Sequence, residues 1–361
     1  MKPELRKKLP ALLIPALFAG SIMVFSQKPE WVENLYAKSF YPSLSQSQRT
    51  ISGILPFSIG DIIYTFIILF LIWRIFRFIL RFKKQENKKS LILNVFLKIT
   101  ITSLWIYSVF YILWGLNYYR TGVSSVFNLP DETVIEKEIT SLTNELKDSL
   151  NKCAQLKSIN PKADSKISNY QLAAVHSFKS LEKHFPELVF KTPSFKASLF
   201  GEAANYMGIQ GYYNPFTGES QINTHTPEFI IPFVSCHEIA HQLGFASESE
   251  ANFVGFLAAK HSEDARVRYA AYLNMFMYAA AQLKRTDSAE IKQIVEQLHP
   301  IVKSDLRIYY KHLRKYEGWL QDGSGFFYDI YLKQNKQRNG IGTYGEVTRW
   351  LISYRKKYNQ L

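Results

Sequence analysis

At 361 residues with a formal net charge of +14, the chain has room for a membrane anchor and one sizeable domain, since a domain usually takes about 100 to 200 residues. Its two cysteines, Cys153 and Cys236, stand far apart in no CxxC or Cys/His spacing, which excludes a disulfide framework and a thiolate zinc site. The positive charge admits nucleic acid or an anionic membrane surface as partner, and its placement along the chain decides for the membrane.

Three apolar stretches fill the first third, about residues 9–25, 59–80 and 91–116. Each approaches the ~20 residues a helix needs to cross a bilayer core. The first follows Lys2, Arg6, Lys7 and Lys8 like a signal peptide, but Gly20, Ser21 and Ser26 match a cleavage site poorly, so an uncleaved anchor is expected. The connector from Arg81 to Lys89 carries five positive charges against one negative. By the positive-inside rule it is cytoplasmic, as is the N-terminus. Three crossings then place everything after about Asn117 outside the cytoplasm. Arg74, Arg77 and Lys98 lie where cationic side chains snorkel to an interface, and Trp105, Trp114, Tyr118 and Tyr119 suit an interfacial aromatic belt. The expected organisation is a membrane anchor over residues 1–117, with membrane lipid as its partner, and an extracytoplasmic domain over residues 118–361.

Between residues 130 and 185, Val134, Ile139, Leu142 and Leu146 recur at helical spacing, as do apolar residues from Gln171 to His184, with Pro161 between the two helices. From Thr192 to Asn223, short apolar runs broken by Gly208, Gly211, Pro215 and Gly218 predict strands, with a hairpin turn at Asn214–Gly218. Beyond Pro227 the pattern is again helical, with a polar break near residues 285–288 and a glycine-rich loop around residues 322–325.

The run from Pro232 to Gly244 contains His237-Glu238-Ile-Ala-His241, an HExxH motif with a proline suited to a first helical turn. Residues i and i+4 share a helix face, so both histidines can offer a ring nitrogen to one Zn²⁺, while Glu238 leans over the open coordination position as general base. Apolar neighbours set the motif in a buried helix, where unpartnered His and Glu would be costly. A catalytic zinc site takes three protein ligands, and the next segment offers two carboxylates: Gly244 can end the first helix, Ser247 can cap a second, and Glu248 and Glu250 follow. Glu248, Ala251, Asn252 and Gly255 share a face of small residues that permits close approach. The short connection also brings Glu250 near the level of His241, so it stands as the alternative third ligand.

HExxH followed by ExxA(N/D)xxG resembles the gluzincin metallopeptidases. The resemblance implies Glu248 as third ligand and places Asn252 where those enzymes have an Asp that orients a zinc histidine; asparagine can accept the same hydrogen bond but brings no charge. With three N-terminal spans, Trp114-Gly-Leu-Asn-Tyr-Tyr-Arg120 and Gly211-Tyr-Tyr-Asn-Pro215, the layout is similar over nearly its whole length to an uncharacterised bacterial membrane-anchored HExxH family within the zincin-like metallopeptidases (gluzincins, Peptidase MA). It implies a mainly α domain with a small β-sheet, a zincin-like α+β domain, after three transmembrane helices in the bacterial cytoplasmic membrane. It also implies one Zn²⁺, a peptide or protein substrate and hydrolysis of peptide bonds. The alternative is a non-hydrolytic zincin-like zinc- or peptide-binding module acting as a membrane-tethered sensor or scaffold. An intact Glu238 speaks against it, because a structural site needs no base.

Ser220–Asn223 is a candidate edge strand for substrate backbone. His225, Tyr213, Tyr310, His312 and Tyr328 are candidate donors to the oxyanion. The basic residues Lys311, Arg314, Lys315, Lys333, Lys336 and Arg338 are expected to be solvated or lipid-facing, with no nucleic acid bound outside the membrane.

Overall fold

The computed structural model of the chain describes residues 3–130, 134–159, 167–335 and 344–361. The architecture is mainly helical with one small mixed sheet. Pro161, Lys336 and Arg338 lie outside the described residues, and so does the side chain of Tyr328.

Helix α1 (Pro3–Ser26) turns into α2 (Pro29–Gly53) at a bend of 96°. The part of α2 from Val32 to Phe40 is wound as a π-helix. Helices α3 (Ile59–Lys84) and α4 (Lys88–Leu113) are 26 residues each and are by themselves long and apolar enough to cross a membrane; α1 meets that test only when joined to α2. Ser58 and Asn87 cap α3 and α4 by accepting from Asp61 N and Ser90 N at 3.0 Å. Arg81, Lys83 and Lys84 fill the last turn of α3, where cations offset the helix dipole. The third apolar stretch thus starts and stops about three residues earlier than expected, because Trp114 leaves the helix and residues 115–119 form a 3₁₀ turn.

The longer remaining helices pack around one hydrophobic core, to which all but the helix over residues 319–334 contribute. They are α5 (Glu136–Ile159), α6 (Ile167–Glu182), α7 (Ile231–Gln242), α8 (Glu248–Lys260), α9 (Ala265–Thr286), α10 (Ser288–Glu296), α11 (Pro300–Tyr316), α12 (Trp319–Gln334) and α13 (Tyr344–Tyr358). Helix α5 lies along α9, and α7 packs against α6, α8 and α9. The periodic Ile139, Leu142 and Leu146 are buried, as are Phe178, Phe253 and Phe256 opposite. Asp287 forms the expected break between α9 and α10 and caps the latter through Ala289 N and Glu290 N. The expected glycine-rich loop does not form: α12 runs through Gly323 and Gly325. A glycine costs a helix interior about 1 kcal/mol but does not forbid it.

Strands β1 (Phe195–Ala197), β2 (Gly211–Asn214) and β3 (Glu219–Ile222) lie in the order β1-β3-β2, with β1 parallel and β2 antiparallel to β3. The hairpin turn forms as expected. Asn214 Oδ1 accepts from Phe216 N at 3.0 Å, and Gly218, at φ +70°, donates to Asn214 O at 2.8 Å. Ser220–Asn223 is not an edge, because β3 is paired on both sides; β2 is the edge strand of that hairpin.

Candidate metal centre

Pro232 occupies the first turn of α7, and the helix ends at Gly244, whose φ of +87° favours glycine. His237 and His241 stand one turn apart with ring centroids 4.6 Å apart and planes at 90°. Ser247 sits at the start of α8, though its hydroxyl pairs with Ser249 Oγ instead of a backbone N–H. Helix α8 approaches α7 closely at Gly255, where a Cβ would lie 3.0 Å from His237 N. That contact brings the first residue of α8, Glu248, up to the histidines.

Glu248 Oε2 lies 3.2 Å from His237 Nε2, and its Oε1 lies 3.6 Å from His241 Nε2. Two ligands about 2.0 to 2.1 Å from one tetrahedral ion are themselves roughly 3.3 Å apart, so the cluster has the spacing of a zinc site. Among the described residues, ligand atoms of these three converge within 4.8 Å of one another. The outer nitrogens agree. His237 Nδ1 is 3.0 Å from Asn252 Oδ1, and His241 Nδ1 is 2.8 Å from Phe245 O. A carbonyl can only accept, so Nδ1 of His241 carries the proton and its Nε2 faces the carboxylate. Burial lowers the His241 pKa, but Glu248, Glu238 and Phe245 O outweigh it and hold it at about 9. Burial likewise raises the Glu248 carboxyl, yet the two histidines keep it well below the ordinary range. The three side chains therefore fit a shared divalent cation.

Glu250 points elsewhere: its carboxylate accepts from Val123 N at 2.9 Å and fills the space beside Gly122. Glu238 is 2% exposed. Its Oε2 has no hydrogen-bond partner among the described residues, and a Cβ on Gly211 of β2 would stand 2.7 Å from its Oε1. Burial pushes this carboxyl up to about 7, against the lowering pull of His241 and His237.

Residues far away in the chain hold the end of α7. Tyr41, Ser45 and Arg49 of α2 all donate to Gln242 O, at 3.1, 2.9 and 2.9 Å. Trp114 donates to His241 O at 3.3 Å and sets its ring edge-on to the imidazole at 6.0 Å. The sequence reading missed these roles. The placement of Trp114 one residue beyond a span suggested only an interfacial anchor, and nothing local marks Tyr41 or Arg49. Tyr331 was also missed. It bonds Tyr118 at 3.2 Å, and burial, together with the nearby Glu248 charge, raises its pKa. Of the other candidates, Tyr213 packs on Trp114 and Tyr41, His225 and Tyr310 are exposed, and His312 packs on Tyr316.

The family model described as Protein of unknown function (DUF3810) matches residues 36–352. The chain belongs to this family. No curated protein and no solved structure matches it. The family match takes in α2 from residue 36 onward, both long apolar helices and the whole His237–Glu248 cluster, so the parts that build the centre belong to one unit of sequence.

Proposed function

We propose that the chain is a zinc-dependent peptidase anchored in the bacterial cytoplasmic membrane. In this reading His237, His241 and Glu248 hold one Zn²⁺, Glu238 is the general base, and Asn252 steadies His237. Helix α1 is a third span beside α3 and α4, and the lysine- and arginine-rich turn between α3 and α4 lies in the cytoplasm, so the metal centre faces the periplasm or exterior. The observation that carries the reading is a three-donor cluster with a buried, unpartnered glutamate oxygen beside it. A structural site has no use for that oxygen.

Zinc bound there supplies Lewis acidity, polarising a scissile carbonyl and acidifying water. Glu238 takes the proton of the attacking water as the new C–O bond forms and delivers it to the leaving nitrogen as the C–N bond breaks. The edge strand β2, with Gly211 against Glu238, is the place for substrate backbone to add.

The test is zinc content and casein cleavage by the full chain in detergent, beside Glu238→Gln. Both proteins should hold about one zinc, and only the parent should cleave, with the variant down at least a hundredfold. Zinc in both without cleavage would favour the non-hydrolytic sensor or scaffold, and absence of zinc from both would end the reading.

A further inference from the structure

The metal centre is built onto the ends of both long apolar helices. Trp114, the residue after the last of α4, touches the ring and the carbonyl of His241. The first turn of α3 is fixed to the sheet beside Glu238. Glu219 of β3 accepts from Ile59 N at 2.9 Å and Gly60 N at 2.6 Å, and Asp61 accepts from Tyr212 Oη of β2 at 2.6 Å and Leu199 N at 2.8 Å. Glu219 and Asp61 are fully buried. The Glu219 carboxylate satisfies orphan N–H groups of the first turn and offsets the helix dipole, which fastens α3 to the sheet. The centre therefore stands at the level where the two helices would leave a bilayer.

Two further features bear on what can reach it. Helix α4 packs along α1, whereas α3 stands apart with its apolar residues Phe66, Phe70 and Trp73 open, although only residues 85–87 join α3 to α4. Helix α12 exposes Trp319, Leu320 and Phe326, while its Tyr331 bonds Tyr118 in the 3₁₀ turn and Asn335, just past its end, bonds Tyr111 of α4. Apolar side chains are thus exposed both on α3 and on α12, and such surface belongs against lipid.

We infer that the substrate is a membrane-inserted polypeptide, cut in the stretch of chain that emerges from the bilayer. This rests on the peptidase reading. A chain in extended form covers at most about 3.5 Å per residue, so a scissile bond held near the level of the helix ends falls in the first stretch beyond the substrate's apolar helix, on the order of ten residues for about 35 Å of reach.

The full chain is reconstituted in phosphatidylethanolamine/phosphatidylglycerol vesicles with three forms of one unfolded casein segment. One form is free, one is fused directly to a single 20-residue Leu/Ala helix, and one carries a stiff 30-residue polyproline spacer, about 3.1 Å per residue, between helix and casein. The directly fused form should be cut at least tenfold faster than the free form, with sites mapped by mass spectrometry inside the first ten or so residues beyond the helix. The spacer should abolish most casein cleavage although tethering is retained. Equal rates for free and fused casein, or casein cuts that survive the spacer, would overturn this inference and leave the peptidase standing. No cleavage of any form beyond that of Glu238→Gln would remove the peptidase reading and this inference with it.

Discussion

Gly211 leaves no room for a side chain: a methyl group there would stand 2.7 Å from Glu238 Oε1 and 2.8 Å from Val234 Cγ1. Both neighbours belong to a buried stretch of α7, and the carboxylate end yields more easily than the branched Val234. Gly211→Ala should therefore turn Glu238 aside while leaving His237, His241 and Glu248 in place. We expect casein cleavage to fall about a hundredfold, the scale of a 1 Å misplacement of a catalytic group, with zinc content unchanged. Loss of zinc, or full activity, would show that this contact does not position the base. His237, Glu238 and His241 are legible in sequence because one helical turn carries all three. Glu248 is legible only as one of two carboxylates, since the α7–α8 turn allows either register. Gly211 is hidden, because its meaning lies in a contact across 27 residues of chain.

Between elements, the decisive spacing is the approach of α8 to α7 at Gly255. Its absent Cβ would meet His237 N at 3.0 Å, His237 Cα at 3.1 Å and Cys236 C at 3.2 Å, all backbone atoms inside a helix. They cannot move singly, so Gly255→Ala should push the helices apart by a few tenths of an ångström and draw Glu248 from the histidines. Overpacking of this kind costs about 1 to 3 kcal/mol. The variant should melt lower and surrender zinc to a chelator at roughly tenfold lower concentration; parent-like values in both would show that the helices accommodate a methyl group. The small-residue face of α8 was readable from its i, i+3, i+4, i+7 pattern. The strand order was not, because β3 is mostly polar in sequence, Glu-Ser-Gln-Ile, and does not announce a central strand; only the parallel pairing with β1 decides. Nor was the continuity of α12, where aromatic neighbours outweigh two glycines. The clasp of Tyr41, Ser45 and Arg49 on Gln242 O joins residues about 200 apart and has no local signature.

At the scale of the whole molecule, α2, the exit from α4 and the turn after α7 meet at one ion pair. Arg120 donates to Glu33 through Nε at 3.1 Å and Nη2 at 3.0 Å, reaches Gly244 O at 3.4 Å and lies over the Phe245 ring. Both side chains are nearly buried, 7% and 5% exposed. Burial by itself raises the Glu33 pKa, but Arg120, Lys38 and Thr121 together bring it below the ordinary carboxylate value. A folded pKa below the unfolded one means that the unfolded chain binds the proton first. The pair's contribution is then complete above about pH 4.3, the unfolded glutamate value, and fades as pH falls through the lower folded value. Arg120→Ala leaves a buried carboxylate with only Lys38 and Thr121 N beside it and should cost roughly 3 kcal/mol at neutral pH, the low end for breaking a buried pair. It should also reverse the sign: with burial unopposed by the guanidinium, the folded pKa of Glu33 rises, so the gap between variant and parent narrows on acidification from pH 7 toward 4. Thermal melts of the full chain in detergent across that range, with Glu33→Gln as the chargeless reference, test the assignment. A gap that stays constant or widens in acid would mean that Glu33 draws its lowered pKa from some partner other than Arg120.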